Sequence, residues 1–356
     1  MSRTARGGAW LAALLAALAG GARPAAAHEG WGVVVDRHGR VYVADIPANI
    51  IWRITPGGPA EPVARGIHSH ALALGPDGAV YGTHVHPSGS ARGVWRLDLA
   101  GRLSWVDPGR SLGGMGLQSF LVGDDGALYS GSAFQPDRAP EHRTVHLLRR
   151  RADGTIDTLA GGGTGTRDGT GGAAGFGAID GMAWLGDGRM VVADGGQLRS
   201  VEHAGRVRTL GPALSDRRWD EDLLGVAVAP DGTILAADFA GRVLHRWNGS
   251  SSRPVYRKHP YWSPAGVVAA GVHVYVLEHP RAPLGILGDL GVGPYLRVRK
   301  IAPGGHAEVL HHQWGRNTGV GLALVVAVFT AAGGAGVRLR RRWRGRAFAL
   351  ALHAQP

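Results

Sequence analysis

One arrangement of apolar and polar positions recurs six times along the chain. A short apolar run leads into a tight turn containing Gly and, in five copies, Asp. A second apolar run follows and often ends on Asp or His. A third carries Trp, Leu or Val beside Arg. In the first copy these parts are residues 32–35, 36–39, 41–45 and 50–54. In the second they are 71–74, 76–78, 80–83 and 94–97; in the third, 119–122, 124–126, 128–131 and 144–149. The fourth runs through 181–185, 186–188, 190–194 and 198–201, and the fifth through 225–229, 230–232, 234–238 and 243–247. The sixth has a degenerate Ala270-Gly271 turn between 266–269 and 272–277, and its third run is 296–301.

Runs this short, separated by turn residues, predict β-strands joined in hairpins. Asp-Gly suits such hairpins because glycine adopts positive φ without steric cost. A fourth short run follows each third one, at 61–64, 103–106, 155–159, 206–210, 254–256 and 307–310. Six copies of four strands over residues 28–315 make roughly 48 residues per unit, the arithmetic of a β-propeller. A single four-stranded sheet leaves apolar faces open, and radial stacking buries them. The regular four-strand cycle disfavours a sandwich or barrel. No interior segment holds a 3.6-residue period, so helix content should be very low. The long insert before the fourth copy is the place where further strands would upset the count of six.

The two ends break the pattern. Arg3 and Arg6 precede an apolar stretch from Trp10 to Ala19, and Ala25-Ala26-Ala27 offers a small-x-small cleavage site. Residues 1–27 therefore read as a signal peptide, with His28 beginning the mature chain. Residues 319–337 are uncharged, long enough for a hydrocarbon core of about 30 Å. Arg338, Arg340, Arg341, Arg342, Arg344 and Arg346 follow at once. The expected organisation is a signal peptide (1–27), a propeller (28–315), a transmembrane helix (318–337) and a basic cytoplasmic tail (338–356). By the positive-inside rule the propeller is extracytoplasmic, in the periplasm of a bacterial cell, and the chain is a single-pass membrane protein.

Those ends also explain the charge. The net charge is +12, from 39 basic and 27 acidic residues. Removing Arg3, Arg6, Arg23 and the six tail arginines leaves 30 basic against 27 acidic residues. A nucleic-acid binder would concentrate its basic residues on the folded domain, so no nucleic-acid partner is expected. The chain has no cysteine, which excludes disulfides, thiol nucleophiles and cysteine-ligated metal centres.

The repeat resembles the NHL-repeat β-propellers. Val41-Tyr42-Val43-Ala44-Asp45, then Asn49 and Ile51-Trp52-Arg53-Ile54, looks like their repeat core. So does Thr158-Leu159-Ala160-Gly161-Gly162 followed by Arg167-Asp168-Gly169-Thr170-Gly171, Ala174, Phe176 and Asp180-Gly181-Met182-Ala183. The resemblance implies an all-β six-bladed propeller over residues 30–310. It leaves activity open, because relatives of this kind include protein-binding scaffolds, sensor domains and metal-dependent lyases.

Residues that begin the innermost strands of a propeller converge at one mouth of the central channel. Here these are Glu29, residues 68–70, Gln118-Ser119, Asp180, residues 221–224 and Ser263-Pro264. Glu29, His70 and Asp180 are candidate ligands of a divalent metal. Oxygen donors suit calcium, and an added imidazole favours zinc or manganese. Such an ion would polarise a carbonyl and acidify a bound water, with Asp180 as ligand or general base and His70 as ligand or proton shuttle.

The more distant resemblance to the gluconolactonase and senescence-marker propellers implies a metal-binding Glu before Gly in the first inner strand, which Glu29-Gly30 matches. Asp180-Gly181 matches a later position. Leu224 stands where another carboxylate is expected, and no Asn appears near Gln118. His68 with His70, and His84 with His86, have the i,i+2 spacing that puts two imidazoles on one strand face. The run 161–165 lacks the Gly-Lys-Ser/Thr ending of a phosphate loop and reads as a blade connection. Trp52, Trp95, Trp184 and Trp247 lie in strand runs, where packing between blades is expected.

These features lead to a membrane-anchored propeller that binds a ligand or protein partner. The alternatives are a metal-dependent lactonase or esterase-type hydrolase and a metal-dependent lyase.

Overall fold

The computed structural model describes residues 30–85, 92–106, 115–116, 119–132, 142–215, 223–256, 259–281 and 293–315. The expected signal peptide, transmembrane helix and basic tail, together with Glu29, His86, Gln118 and residues 221–222, lie outside them. Among the described residues no helix is long and apolar enough to cross a membrane. Among the described residues helical structure is confined to short 3-10 geometry, including the turn Gly171–Ala173.

The strands form six sheets, and each is built from consecutive chain. Blade 1 is β1 (Val33–Val35), β2 (Val41–Asp45), β3 (Ile50–Ile54) and β4 (Ala60–Arg65). Blade 2 is β5 (Leu72–Leu74), β6 (Val80–Val85), β7 (Arg92–Leu97) and β8 (Leu103–Trp105). Blade 3 is β9 (Leu121–Val122), β10 (Leu128–Gly131), β11 (His146–Arg150) and β12 (Ile156–Gly161). Blade 4 takes β13 (Gly169–Thr170), β14 (Met182–Trp184), β15 (Met190–Asp194), β16 (Gln197–Val201) and β17 (Arg206–Thr209). Blade 5 is β18 (Leu223–Val228), β19 (Ile234–Asp238), β20 (Val243–Trp247) and β21 (Ser252–Pro254). Blade 6 is β22 (Trp262–Ala270), β23 (His273–Pro280), β24 (Pro294–Ile301) and β25 (Ala307–Trp314).

The propeller belongs to one compact unit, Pro24–Pro283 with Leu296–Gln313. Of the second unit, residues 293–295 and 314–315 are described, and there the Gly315 amide donates to Gly293 O at 2.9 Å.

The six inner hairpins turn at equivalent places. Gly39, Gly78, Gly126, Gly188 and Gly232 have φ between +75° and +80°, and Gly271 of the shorter sixth turn has +56°. In four of the turns the aspartate accepts from the amide two residues on: Asp77 from Ala79, Asp125 from Ala127, Asp187 from Arg189 and Asp231 from Thr233. Asp36 stands two positions earlier in its turn and holds it by accepting from His38 and Arg40 amides. The insert before blade 4 adds no blade. Its strand β13 pairs antiparallel with β17, making a fifth, outermost strand of blade 4.

The core lies between successive blades, as radial stacking requires. Val34, Tyr42 and Ile51 of blade 1 pack against Leu72, Val80 and Trp95 of blade 2. Comparable clusters join blades 2 and 3, 3 and 4, 4 and 5, and 5 and 6. The tryptophans serve this packing. Trp95 is fully buried, and Trp184 donates from Nε1 to Val122 O of blade 3 at 2.9 Å. Trp247 packs on the cluster between blades 4 and 5, and Trp52 lies 5.4 Å from His311 of blade 6, ring to ring.

Blade 6 closes on blade 1 without exchanging a strand. His279 on β23 hydrogen-bonds through Nε2 to Gly30 O at 2.8 Å, and Gly266 on β22 fits against Trp31 O and Val33.

Candidate functional site

The strand registers show which residue of each blade occupies which level of the channel. Gly32 lies opposite Ala44 and accepts its amide, as Gly181 accepts that of Ala193. Gly225 pairs with Ala237 and Gly266 with Leu277. Counting back from Leu72↔Gly82 and Leu121↔Tyr129 puts Ala71 and Ser119 at the same level. That level therefore reads Gly32, Ala71, Ser119, Gly181, Gly225 and Gly266. All six are small because neighbouring inner strands touch there. A Cβ on Gly181 would stand 2.5 Å from Leu224 O, and one on Gly225 would stand 2.6 Å from Ala265 O.

One residue farther in, the level is Val33, Leu72, Phe120, Met182, Val226 and Val267, and all six line the channel cavity. The cavity measures about 60 Å³, which admits a few waters and is far below the volume of an ordinary small-molecule pocket. The channel is thus floored by an apolar collar to which every blade contributes once.

One residue farther out is the mouth: Trp31, His70, Asp180, Leu224 and Ala265, with Gln118 as the blade 3 position outside the described residues. Leu224 and Ala265 are bulged, since Leu223 and Pro264 take the next pairing partners. Leu224, Ala265 and Phe239 form a buried apolar cluster against Trp31. His70 is buried, 6.0 Å from the Trp31 ring and 5.1 Å from that of His68. The Trp31 amide donates to His70 O at 3.1 Å. Asp180 is buried and lines the cavity with Ser119, whose hydroxyl donates to Ile179 O at 2.8 Å.

The blade 1 counterpart of Asp180-Gly181 is therefore Trp31-Gly32, and Glu29-Gly30 falls two residues earlier. Glu29 itself lies outside the described residues. Of the other proposed ligands, Asp180 faces the channel, whereas His70 belongs to an aromatic cluster beside it. Among the described residues no group of three His, Asp or Glu side chains is placed to hold a metal ion. One carboxylate with one imidazole is also fewer donors than calcium or zinc takes.

A second polar ring was half visible in the sequence as the Asp or His that often ends the second run. Its members are Asp45, His84, Ser132, Asp194, Asp238 and Glu278; the first five accept from backbone amides of nearby connections, and Glu278 is held by side chains. Asp45 accepts from the Ala48 amide and from Trp52 Nε1. His84 Nδ1 accepts from the His68 amide, and Ser132 Oγ from the His146 amide. Asp194 accepts from the Gly177 and Ala178 amides and from Arg199, and Asp238 from the Gly241 amide. Glu278, fully buried, is held by Arg297, Arg299 and the Tyr256 hydroxyl. These carboxylates are occupied in shaping the rim.

No protein-family model matches the chain, and no curated protein sequence matches it. Solved structures do. One is a streptogramin B lyase, 13% identical with a TM-score of 0.50, the match covering 80% of this chain and 83% of that one. Another is described as a gluconolactonase, 16% identical with a TM-score of 0.50 over 70% of this chain and 85% of that one. At such identities the likeness speaks for the propeller fold.

Proposed function

We propose that this chain is a membrane-anchored, extracytoplasmic propeller of NHL-like repeat whose upper face binds a ligand or protein partner. The carrying observation is the channel. Its floor is apolar in all six blades, and three of the five described mouth positions, Trp31, Leu224 and Ala265, are apolar as well. Leu224 and Ala265 are buried and back Trp31, whose half-buried ring lines the cavity and offers the apolar contact for recognition, while the ring of acids around it is already engaged by the fold.

A paired crosslinking experiment tests this reading. A photoreactive residue replaces Pro47, exposed in the upper β2–β3 turn, or Asp187, exposed in a lower inner turn. A defined adduct from position 47 and none from 187 supports it; adducts from 187 alone contradict it. The anchoring is read separately, by protease added to spheroplasts: cleavage of the propeller supports an extracytoplasmic body, and full protection refutes it.

One observation favours a second reading, a metal-dependent hydrolase with Glu29, His70 and Asp180 as ligands: Asp180 and Ser119 bring polar atoms to the cavity wall. Metal content of the purified chain, before and after Asp180→Ala, separates the two.

A further inference from the structure

A cavity larger than that of the channel lies on the opposite face of the propeller. It is a half-open cleft of about 590 Å³ between blades 5 and 6, on the side of the inner turns. Its size falls within the range of small-molecule sites. Its walls are short, closed turns. At 229–233 the Ala229 amide donates to Thr233 O, and at 302–306 the Ala302 amide donates to His306 O. Val255, Ala269, Val274 and Ile301 supply apolar surface, and Val272, 69% exposed, projects at the rim.

Two arginines line the same cleft. Arg246 on β20 and Arg253 on β21 are directly opposed in the antiparallel register, so they leave the sheet on one face. Like charges in that position repel and weaken a strand pair. One of the two is compensated: Arg246 Nη1 lies 2.9 Å from Asp231 Oδ2 and 3.0 Å from Thr233 Oγ1. Asp231 is further committed, since its Oδ1 accepts from the Thr233 amide and hydroxyl. Arg253 is exposed, and among the described residues no carboxylate pairs with it. The wall thus carries two guanidinium groups and one carboxylate, a surplus of one positive charge beside an apolar floor, with His273 also on the lining.

From this we infer that the cleft between blades 5 and 6 is a binding site for a small organic monoanion, a carboxylate on an apolar body. The carboxylate would take the bidentate geometry that guanidinium offers, relieving the Arg246–Arg253 repulsion. The apolar body would cover Val255, Val272 and Ile301. The site is independent of the mouth and faces away from it.

The test uses the full-length chain and calorimetric titration with hydrocinnamate, a phenyl ring joined to a carboxylate by two methylenes. Two probes dissect it: hydrocinnamyl alcohol keeps the body and loses the charge, and acetate keeps the charge and loses the body. Hydrocinnamate should bind saturably at one site, and both dissected probes should bind about tenfold more weakly or worse. Arg253→Gln should weaken hydrocinnamate by about tenfold or more, the loss expected for one charge-assisted pair. Arg65→Gln, which removes an exposed arginine on blade 1, should bind as the parent does. Hydrocinnamate should also raise the melting temperature of the parent and leave that of Arg253→Gln unmoved. Absence of saturable binding to the parent, equal binding to Arg253→Gln, or equal binding of the alcohol would overturn the proposal. The ligand-free melts of the two proteins establish that the variant is folded.

Discussion

The ring closes where blade 6 meets blade 1, and Gly266→Ala strikes that contact. A Cβ at 266 would overlap Trp31 O and come within 2.9 Å of both Trp31 C and Val33 Cγ1. Two of these atoms are backbone, so relief requires the inner strands of the two blades to part. Inserting one methyl group into a tightly packed interior costs about 1–3 kcal/mol, and an obstacle made of backbone argues for the upper half of that range. Gly186→Ala is the matched control. Nothing lies within 4 Å of its added methyl, and its backbone is not in the left-handed region. There the reduced freedom of the unfolded chain predicts a change between none and a stabilisation of about 1 kcal/mol. Urea unfolding of the full-length chain, followed by tryptophan fluorescence, reads both. The expected outcome is a midpoint clearly lowered for Gly266→Ala and unchanged or raised for Gly186→Ala. In thermal melts each kcal/mol corresponds to roughly 2–4 °C in a domain of this size. Coincident midpoints would refute closure by contact of small residues.

Arg199 is fully buried and joins Asp194 at 2.7 Å to Asp168 at 2.9 Å, tying the insert onto blade 4. Arg199→Met leaves the Asp194 carboxylate buried without its ion pair, and should cost about 3 kcal/mol or more in urea unfolding and expose residues 161–181 to protease; an unchanged midpoint would contradict the tie.

The acid limb of stability should have two steps. Burial holds His311 and His312 below their ordinary 6.5, with His312 lowered further by Arg297. Their stabilising contribution is complete above 6.5 and is lost as the unfolded chain takes up protons that the folded one resists. The Arg149 and Thr233 hydrogen bonds hold Asp157 and Asp231 below 3.8, so their contribution is present above 3.8 and disappears as pH falls through the lower folded values. Thermal midpoints against pH should show both steps, and the double variant His311→Gln with His312→Gln should flatten the upper one; an unaltered upper step would contradict the assignment.

The repeat was legible because strand period and turn chemistry are local. An apolar run ending at Asp-Gly needs no tertiary information, and all five Asp-containing turns proved to be inner hairpins. The small residue at the start of the inner apolar run was also in view, at Gly32, Gly181, Gly225 and Gly266, although its reason, contact between strands of different blades, is tertiary. The mouth was harder to read. Glu29-Gly30 looked like the partner of Asp180-Gly181, yet a shift of two residues keeps the same strand face, so alternation could not distinguish it from Trp31-Gly32. Register could, through the pairing of Val33 with Val43. The role of Asp45, Asp194 and Asp238 was hidden for a similar reason. Their partners are amides and side chains several to many residues away, and an acid that closes a turn looks in sequence like an acid that binds an ion. The cleft between blades 5 and 6 had no linear signature, because Arg246 and Arg253 become neighbours only across a hairpin.

The most direct test of a mouth built for recognition is the metal content of the purified full-length chain, measured beside Asp180→Ala after dialysis against equal calcium, zinc and manganese. A channel floored by Val33, Leu72, Phe120, Met182, Val226 and Val267 predicts no stoichiometric ion in the parent and no difference between the two proteins. One tightly held divalent ion per chain, lost in Asp180→Ala, would contradict the account.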